Sequence, residues 1–421
     1  MSEPINAAAV AALADERIDW RFKGLPPAWS GRTPAQVCAG RPDPLEDGAV
    51  GPLCVLRGGA LSANLATMAN WCRTAGVQLA PHGKTHMAPQ LFARQLQAGA
   101  CAITAATIGQ VRVCRAFGVR DVIMANELVD AAGLRWLAGE LAADPEFSLV
   151  CWVDSVPGVQ LMGRELAAAG ASRPVDVCVE VGMAGGRTGC RSAAQVEQVA
   201  RAATACPQLR LVGVAGYEAA RGHDVTSDAL TAVSGYLAQL RDAALRLANL
   251  FETPEIIVTA GGSTYFDVVA EVLTGWPAGM AVRTIVRSGA YLTHDDGLYA
   301  GTSPFTRPGA GVAAGMLPAL SVWAQVVSRP EPALAVLTMG RRDVSFDQHL
   351  PVPYGLSGSH VAKLNDQHAY LALSPPDQAR VEVGTWLQFG ISHPCTTFDK
   401  WQLIPVLDDD NRVVDLIRTF F

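Results

Sequence analysis

Three side chains that could do chemistry stand at alternate positions in the segment LAPHGKTHMAP, residues 79–89: His82, Lys84 and His86. Two histidines four residues apart could bind zinc from one face of a helix. The proline and glycine inside the segment disfavour a helix, however. In an extended chain the three side chains would share one face.

Lys84 follows the apolar run VQLA, which is typical of a buried strand. At the carboxyl end of a barrel strand, partial burial would lower the pKa of a lysine. The free amine needed for a Schiff base would then be favoured. The alternative is a solvated lysine in a turn, and this segment alone does not decide between them.

A second candidate is TAGGSTYF, residues 259–266, which follows the strand-like run EIIV. Its four central residues combine backbone N–H groups that an anion can approach closely with two hydroxyls at a helix start. They are Gly261, Gly262, Ser263 and Thr264. The alternative is an ordinary glycine turn with a capping Ser or Thr.

Two further segments place polar side chains after apolar runs. In EVGMAGGRTGC, residues 180–190, a buried Arg187 could hold a phenolate or carboxylate oxygen. In GYEAARGH, residues 216–223, Tyr217 and Glu218 follow LVGVAG. A surface arginine and a core tyrosine are the alternatives.

The segment SHPCTTFDKW, residues 392–401, carries His393 and Cys395. Two residues apart in an extended chain, the two side chains could share a zinc ion. Two protein ligands leave coordination positions open, as a catalytic metal requires. A buried histidine beside a buried thiol is the alternative.

The elements that position these residues form two patterns. Between about residues 50 and 300, short apolar runs, LCVLRG among them, alternate with longer Ala/Leu-rich helical stretches. This alternation predicts a (β/α)8 barrel, with a doubly wound open sheet as the alternative. After the Pro/Gly-rich TSPFTRPGAG, strand patterns predominate. We therefore expect an arm over 1–50 packed on the β-domain, a barrel over 51–300 and a β-rich domain over 301–421.

Composition excludes several classes of protein. A chain of 421 residues, 50% of them hydrophobic, can bury a large core and form two domains. A net charge of −6 disfavours nucleic acid as partner. No apolar run is long enough to predict a membrane span, and the N-terminus does not resemble a secretory signal. The ten cysteines stand mostly in apolar runs, so we expect free thiols in a cytoplasmic protein.

Six segments, in this order, resemble those of the D-serine dehydratase and D-threonine aldolase family: PHGKTH, ATIGQ, GMAGGRTG, TAGGSTYF, GRRDVSFD and SHPCTTFDKW. The resemblance runs over about residues 50–405. These are fold-type III pyridoxal-phosphate enzymes with the alanine-racemase-like fold. The resemblance therefore implies a barrel that binds the cofactor, followed by a β-rich domain with a metal site.

The resemblance also implies a role for each candidate residue. Lys84 would form the Schiff base and act as general base. The cofactor would be held by Arg187 at the ring oxygen, Tyr217 near the pyridine ring, and Gly261, Gly262, Ser263 and Thr264 at the phosphate. The metal, expected to be Zn²⁺, would be bound by His393 and Cys395. The groups that orient the lysine or the cofactor would be His82, His86 and Gln110.

The activity implied is dehydration of D-serine or a related β-hydroxy-D-amino acid to a 2-oxo acid and ammonia, with the metal as Lewis acid at the β-oxygen. The alternative is retro-aldol cleavage, as of D-threonine to glycine and an aldehyde. A racemase would need a second base, and a pyridoxal-phosphate-binding protein without activity would need no metal ligands. Met87 stands where the family commonly has lysine and resembles a bacterial deaminase subgroup, which leaves the substrate open. The family also implies a homodimer.

Overall fold

The computed structural model describes residues 3–307 and 315–421. These residues pack as two compact units. The first comprises Ala69–Lys84 and Gln95–Gly289, with the N-terminal residues up to Asn6. The second comprises Ala7–Met68, Thr85–Arg94 and the described part of Ala290–Phe421. The division into domains 1–50, 51–300 and 301–421 stays a prediction. The Pro/Gly-rich segment TSPFTRPGAG lies partly outside the described residues.

The strands are numbered in chain order. They are β1 Leu53–Arg57, β2 Gln78–Leu79, β3 Ile103–Ala105, β4 Asp121–Glu127, β5 Ser148–Val153, β6 Val175–Val181, β7 Leu209–Gly216, β8 Ile256–Ala260, β9 Val282–Val286, β10 Leu320–Glu331, β11 Leu334–Leu337, β12 Val352–Pro353, β13 His360–Leu364, β14 Ala369–Ala372, β15 Trp386–Gly390, β16 Leu403–Leu407 and β17 Val413–Arg418.

The α-helices follow the same convention. They are α1 Ala7–Ala11, α2 Pro34–Gly40, α3 Gly58–Ala75, α4 Pro89–Gln97, α5 Ile108–Ala116, α6 Ala131–Ala143, α7 Val156–Ala168, α8 Ala193–Thr204, α9 Ser227–Arg246, α10 Phe266–Val272, α11 Leu298–Thr302, α12 Pro375–Gln378 and α13 Cys395–Phe398. Across 3–307 and 315–421, none of the helices has both the length and the apolar content needed to cross a membrane.

The sheet of the first unit is a closed parallel barrel. Its eight strands lie in the order β2-β9-β8-β7-β6-β5-β4-β3. The two ends of this order are joined, because the N–H of Cys101 donates to the carbonyl of Leu79 at 2.8 Å and that of Thr104 donates to the carbonyl of Pro81 at 2.9 Å. Closure confirms the predicted barrel and excludes the doubly wound open sheet, which has two free edges.

Apolar side chains fill the barrel interior because alternate residues of each strand point inwards. The inward residues form one buried cluster, which includes Ala80, Ile123, Val150, Trp152, Cys178, Ile257 and Ile285. The next inward position along a strand reaches the carboxyl end of the barrel. That end is where barrels of this class place their functional groups.

The second unit is built on a mainly antiparallel sheet of nine strands, whose main path is β13-β14-β11-β10-β1-β16-β17. Strand β1 pairs antiparallel with β10 and parallel with β16. The expectation that LCVLRG is a barrel strand is therefore wrong. A short strand that is buried along its whole length has the same apolar sequence pattern in either sheet. Only its pairing partners show to which sheet it belongs. The predicted β-rich C-terminal domain is confirmed.

The N-terminal arm contributes to the core of this second unit. Side chains of the arm pack with those of β1, β10, β16 and β17: Ile18, Phe22, Leu25, Trp29 and Val37. Trp29 is fully buried, and its indole N–H donates to Asp47 Oδ2 at 2.7 Å. Burying such an aromatic side chain contributes about 2–3 kcal/mol.

The ten cysteines are free thiols, six of them buried. Burial raises the pKa of several of these thiols, Cys72 and Cys114 to about 12, and so keeps them protonated. The expectation of unpaired, mostly buried cysteines is confirmed.

Candidate functional site

Lys84 lies in a single 3₁₀ turn, Gly83–Thr85, that begins soon after β2. The extended conformation expected for this segment is therefore wrong. Short 3₁₀ turns commonly connect helices and strands, and this turn connects β2 to α4. Lys84 is exposed rather than partly buried. Its position at the carboxyl end of the first barrel strand agrees with the sequence-based expectation.

His82 occupies an inward position on the same strand and forms an isolated parallel bridge to Thr104. Its Nδ1 atom is buried without a hydrogen-bond partner among the described residues. Burial lowers the pKa of His82 well below its usual value, and the positive charges of Lys84 and the arginines Arg187 and Arg287 lower it further. The ring is therefore a neutral group with an unused nitrogen.

His86 belongs to the second unit and is fully buried. Its Nδ1 accepts a hydrogen bond from the backbone N–H of Ala88 at 3.1 Å. The ring packs on Phe92 and Phe398, with centroid distances of 5.1 and 6.0 Å. The structure gives His86 a core environment, and its proposed orienting role stays a prediction.

Gln110 lies in the first turn of helix α5. Its side-chain Oε1 accepts from the backbone N–H of Ala106 at 2.7 Å, while its own N–H donates to the capping Thr107 hydroxyl at 3.3 Å. The threonine thus caps the helix, and the glutamine side chain binds the residue that precedes the cap. They account for the glutamine of ATIGQ by local structure, and its role toward a ligand stays a prediction.

Arg187 and Tyr217 are brought together by the structure. The guanidinium carbon lies 4.4 Å from the centre of the Tyr217 ring, a cation–π arrangement. The backbone N–H of Tyr217 donates to the hydroxyl of Tyr236 at 3.0 Å. Arg187 is exposed, which agrees with the alternative of a surface arginine and not with a buried one. Both residues face a small recess at the carboxyl end of the barrel.

The glycine turn after β8 is held by Glu218. The carboxylate accepts from the N–H of Gly261 at 2.9 Å and from that of Gly262 at 2.7 Å. The carbonyl of Gly262 accepts from the Ser288 hydroxyl at 2.9 Å. In this structure both N–H groups donate to a side chain of the protein, and their predicted role toward a phosphate stays a prediction.

Thr264, at the end of the same turn, is fully buried. Its hydroxyl lies 2.7 Å from Nδ1 of His223. Glu218 and His223 both lie in the segment GYEAARGH, and the sequence alone assigned neither of them a role in the site. Their contacts join positions more than forty residues apart, so no local pattern could have revealed them.

Arg287 was also missed. It lies on the inner face of the barrel one residue beyond β9 and is 5% exposed. Its guanidinium donates to the hydroxyl of Thr259 at 2.5 Å and to the carbonyl of Gly216 at 2.7 Å. The sequence did contain a signal for it. Side chains two residues apart on a strand share one face, so Arg287 lies on the same inner face as Ile285.

The second unit holds the other predicted pair. Nδ1 of His393 lies 2.5 Å from Oδ2 of Asp347. Burial lowers the pKa of His393, but the neighbouring Cys395 and Asp347 outweigh it and raise the pKa to about 9. The thiol of Cys395 donates to the hydroxyl of Thr85 at 3.4 Å.

The backbone at His393 has an unusual conformation. Its φ is +63°, in the left-handed region that non-glycine residues adopt rarely. The N–H of His393 donates to Oδ2 of Asp295 at 2.7 Å, which fixes this conformation. Strained backbone of this kind persists where the surroundings determine it, and it is often found at functional sites.

In the part of the chain that the structure describes, no group of three or more His, Cys, Asp or Glu side chains is arranged to hold a metal ion. The predicted site has only two protein ligands and does not depend on such a group. The carboxylate of Asp347 at Nδ1 is the kind of partner that orients a metal-binding histidine.

Comparison with known families decides the class of the chain. The model "Alanine racemase, N-terminal domain" matches residues 57–295, more than half of the chain, and "Putative serine dehydratase domain" matches residues 319–407. The chain belongs to the alanine-racemase-like, fold-type III pyridoxal-phosphate enzymes. The family resemblance read from the sequence is thereby confirmed.

Two curated relatives of this family member are aldolases. D-threonine aldolase of an Arthrobacter species is 28% identical over 360 residues, 85% of this chain and 89% of the relative. The 3-hydroxy-D-aspartate aldolase of Paracoccus denitrificans (strain Pd 1222) is 26% identical over 323 residues, 75% of this chain and 79% of the relative.

Solved structures share the fold. D-threonine aldolase from Filomicrobium marinum is 25% identical with a TM-score of 0.77, covering 89% of this chain and 96% of its own. D-threo-3-hydroxyaspartate dehydratase from Delftia sp. HT23 is 23% identical with a TM-score of 0.70, covering 88% and 97%. Solved variants of this dehydratase replace a histidine and, two residues further on, a cysteine by alanine, the latter in the metal-free form.

Proposed function

We propose that this family member is a metal-dependent lyase that acts on a small β-hydroxy-D-amino acid. The observation that carries the proposal is the position of Lys84, at the carboxyl end of the first strand of a closed barrel, in the unit that also holds the glycine turn after β8. Its relatives by sequence are lyases of β-hydroxy-D-amino acids.

The barrel end is compatible with pyridoxal phosphate. Gly261 has a φ of +100°, which favours glycine, and a Cβ added to Gly262 would lie 3.2 Å from the Tyr217 ring. Larger residues would therefore fill the space beside the tyrosine. Because Glu218 holds the N–H groups of both glycines, we expect the glycines to shape the turn and the polar groups of Ser263 and Thr264 to contact the phosphate.

Lys84 would carry the cofactor at Nζ, and its released amine would take the proton from Cα of the substrate. Pyridoxal phosphate, when bound, accepts the electron pair left at Cα. Arg187 would hold the oxygen of the ring, and Tyr217 would flank the ring. The neutral His82, with its unused Nδ1, would orient polar groups beside Lys84 without adding a charge.

The donor set of the second unit suits a divalent metal, and Zn²⁺ above all. One imidazole and one thiolate are ligands that zinc prefers, and two protein ligands leave room for substrate oxygen. His393 and Cys395 would hold the ion, and Asp347 would orient the histidine. A metal in this position supplies Lewis acidity.

Two reactions are consistent with these residues. Dehydration to a 2-oxo acid and ammonia is favoured by the His-x-Cys pair, whose spacing matches the histidine and cysteine replaced in the solved dehydratase variants. Retro-aldol cleavage to glycine and an aldehyde is favoured by the two curated relatives. We place dehydration first because His393 and Cys395 are features of this chain itself.

Product analysis separates the two reactions. Purified protein supplied with pyridoxal phosphate and Zn²⁺ is incubated with D-serine, D-threonine or 3-hydroxy-D-aspartate, with and without a chelator. We expect ammonia and a 2-oxo acid in equal amounts, lost on chelation and restored by Zn²⁺. Glycine and an aldehyde without ammonia would select the aldolase reaction. Absence of all four products with every substrate would refute the lyase function.

The remaining assignments belong to the same proposal. The partner is the small-molecule substrate, with no role for nucleic acid or membrane. We propose a cytoplasmic homodimer, which size-exclusion chromatography with light scattering tests directly. A monomer across the range of assay concentrations would contradict it.

A further inference from the structure

Three neighbouring barrel strands end in acidic side chains that point inwards. The inner face of β4, β5 and β6 is marked by Ile123, Trp152 and Cys178, all members of the interior cluster. On β5 and β6, steps of two lead from these residues to the carboxyl end. On β4, which is irregular after Ile123, the last residue pairs in parallel register with the inward Trp152. The residues there are Glu127, Asp154 and Glu180.

Two of these carboxyl groups are buried without partners. Glu180 is 3% exposed, and its Oε2 atom has no hydrogen-bond partner among the described residues. The same holds for both Oε atoms of Glu127. Burying two ionised carboxylates that face each other is strongly unfavourable, and two acceptors cannot hydrogen-bond. A single proton between them supplies the missing donor and removes one charge.

The titration behaviour agrees with a shared proton. Burial raises the pKa of Glu127 to about 8, with the charge of Glu180 as the next cause and that of Asp154 also contributing. At neutral pH Glu127 therefore keeps a proton, as one member of a carboxyl pair with a common proton does.

Several titratable groups surround the two carboxyl groups. The buried Arg287 guanidinium faces Glu180 and Glu218. Cys190 and Tyr236 also face Glu180, and burial raises the pKa of each, so both are neutral. Cys151 and Cys190 face Glu127, and burial likewise raises the pKa of Cys151 and keeps it neutral. The proton is therefore assigned to Glu127, the carboxyl group whose pKa burial raises.

The pair is also connected to the site. Glu180 lines the same recess as Arg187 and Tyr217, the residues assigned to the cofactor ring. It lies on the fifth barrel strand, across the barrel from the first strand, whose end carries Lys84. Glu180 and Lys84 therefore lie on opposite sides of the barrel.

We propose that Glu127 and Glu180 share one proton and form a second proton-exchanging group of the lyase site, separate from Lys84. In the transfer, the O–H bond of the Glu127 carboxyl breaks and its electron pair stays on that carboxylate. The proton passes to Glu180, which lines the recess, and from there to a basic atom in the recess. The pair then carries two negative charges until it regains a proton from solvent. This inference rests on the proposed function.

The first test counts the proton and does not depend on activity. Infrared difference spectra of the holoprotein, recorded while the pH is raised from 6 to 10, report the C=O band of a protonated carboxyl group. We expect such a band at pH 7, lost with a midpoint near 8. It should be absent in Glu127→Gln and unchanged in the control Glu271→Gln, which alters an exposed residue of α10. A wild-type spectrum without the band, or a band that persists in Glu127→Gln, would overturn the shared proton.

A second variant covers the case in which Glu127→Gln fails to fold. Glu180→Gln removes the neighbouring charge, so Glu127 should lose its proton at a lower pH than in the wild type. An unshifted midpoint would show that the two carboxyl groups do not interact.

The second test concerns exchange. Glu127→Gln should lower kcat at pH 7 by about 10²-fold and abolish the fall in rate centred near pH 8, while KM changes little. Unchanged kcat with a confirmed shared proton would overturn the exchange role. If the wild type cleaves no β-hydroxy-D-amino acid, the proposed function fails, and the infrared result still stands for the pair.

Discussion

The carboxylate of Glu218 accepts a hydrogen bond of 2.7 Å from the backbone N–H of Gly262 and so holds the glycine turn after β8 in place. Gly261 donates to the other carboxylate oxygen. A fully buried side chain thereby sets the position of the residues assigned to the cofactor phosphate. The turn is a preformed part of the fold.

Replacing Glu218 tests this positioning. Glu218→Gln places an amide N–H₂ group against one glycine N–H, so one buried donor loses its acceptor, at a cost of about 1–3 kcal/mol. We expect the affinity for pyridoxal phosphate to fall by about tenfold or more, measured by absorbance titration of the apoprotein. Glu271→Gln is the matched control. Equal or tighter cofactor binding in Glu218→Gln would show that the carboxylate competes with the phosphate instead of shaping its turn.

Lys84→Ala removes the amine assigned to the cofactor. Borohydride treatment of the loaded wild-type protein should fix the cofactor covalently, and mass spectrometry should place it at residue 84. The variant should give no such adduct, and its turnover should be at least about 10³-fold lower. Lys363→Ala, on β13, is the control and should behave as the wild type. A reducible adduct in Lys84→Ala would assign the Schiff base to another residue.

Metal retention depends on His393 and Cys395, and secondarily on Asp347. Cys395→Ala should lose bound Zn²⁺, measured by elemental analysis after dialysis, while Cys206→Ala should keep it. Asp347→Asn leaves both ligands in place but weakens the partner at Nδ1. We expect it to lower metal affinity by about 10–100-fold. Full metal content in Cys395→Ala would exclude this pair as the binding site.

The acid stability of the fold should depend on His294. Burial lowers the pKa of His294 to about 4 from an ordinary 6.5. Between these values the unfolded chain binds a proton that the folded chain does not, so stability falls as the pH drops from about 6.5 to 4, by about 3 kcal/mol.

Variants of two histidines test this dependence. His294→Asn suits the φ of +47° at this position and removes the titrating group. Its melting temperature should fall less than that of the wild type between pH 6.5 and 4. The exposed His360→Asn is the control. Parallel curves for His294→Asn and the wild type would contradict the burial argument.

The barrel could be predicted because alternating strand and helix patterns repeat along the chain. Lys84 could be placed because it directly follows one such strand. Strand β1 could not be assigned correctly, since its apolar run fits two sheets and only the pairing with β10 decides. The conformation at Lys84 could not be predicted either, because the same residues are compatible with a 3₁₀ turn and with an extended segment.

The parts of the site that depend on distant contacts were beyond sequence reasoning. Glu218 meets Gly261 across 43 residues, and His393 meets Asp347 across 46. The inward position of Arg287 was readable from period two along β9, and so was that of Glu180 on β6. On β4 an irregularity before Glu127 interrupts the alternation. The unpaired, buried carboxyl oxygens of Glu127 and Glu180, however, appear only when the barrel closes.

The central claim is that this chain cleaves β-hydroxy-D-amino acids at the barrel end that carries Lys84. Chiral chromatography of D-threonine and L-threonine, and of D-serine and L-serine, after incubation with the loaded protein tests it most directly. We expect consumption of a D-enantiomer with matching formation of cleavage products, while the L-enantiomer persists. Interconversion of the enantiomers without cleavage, or cleavage of the L-enantiomer alone, would contradict it.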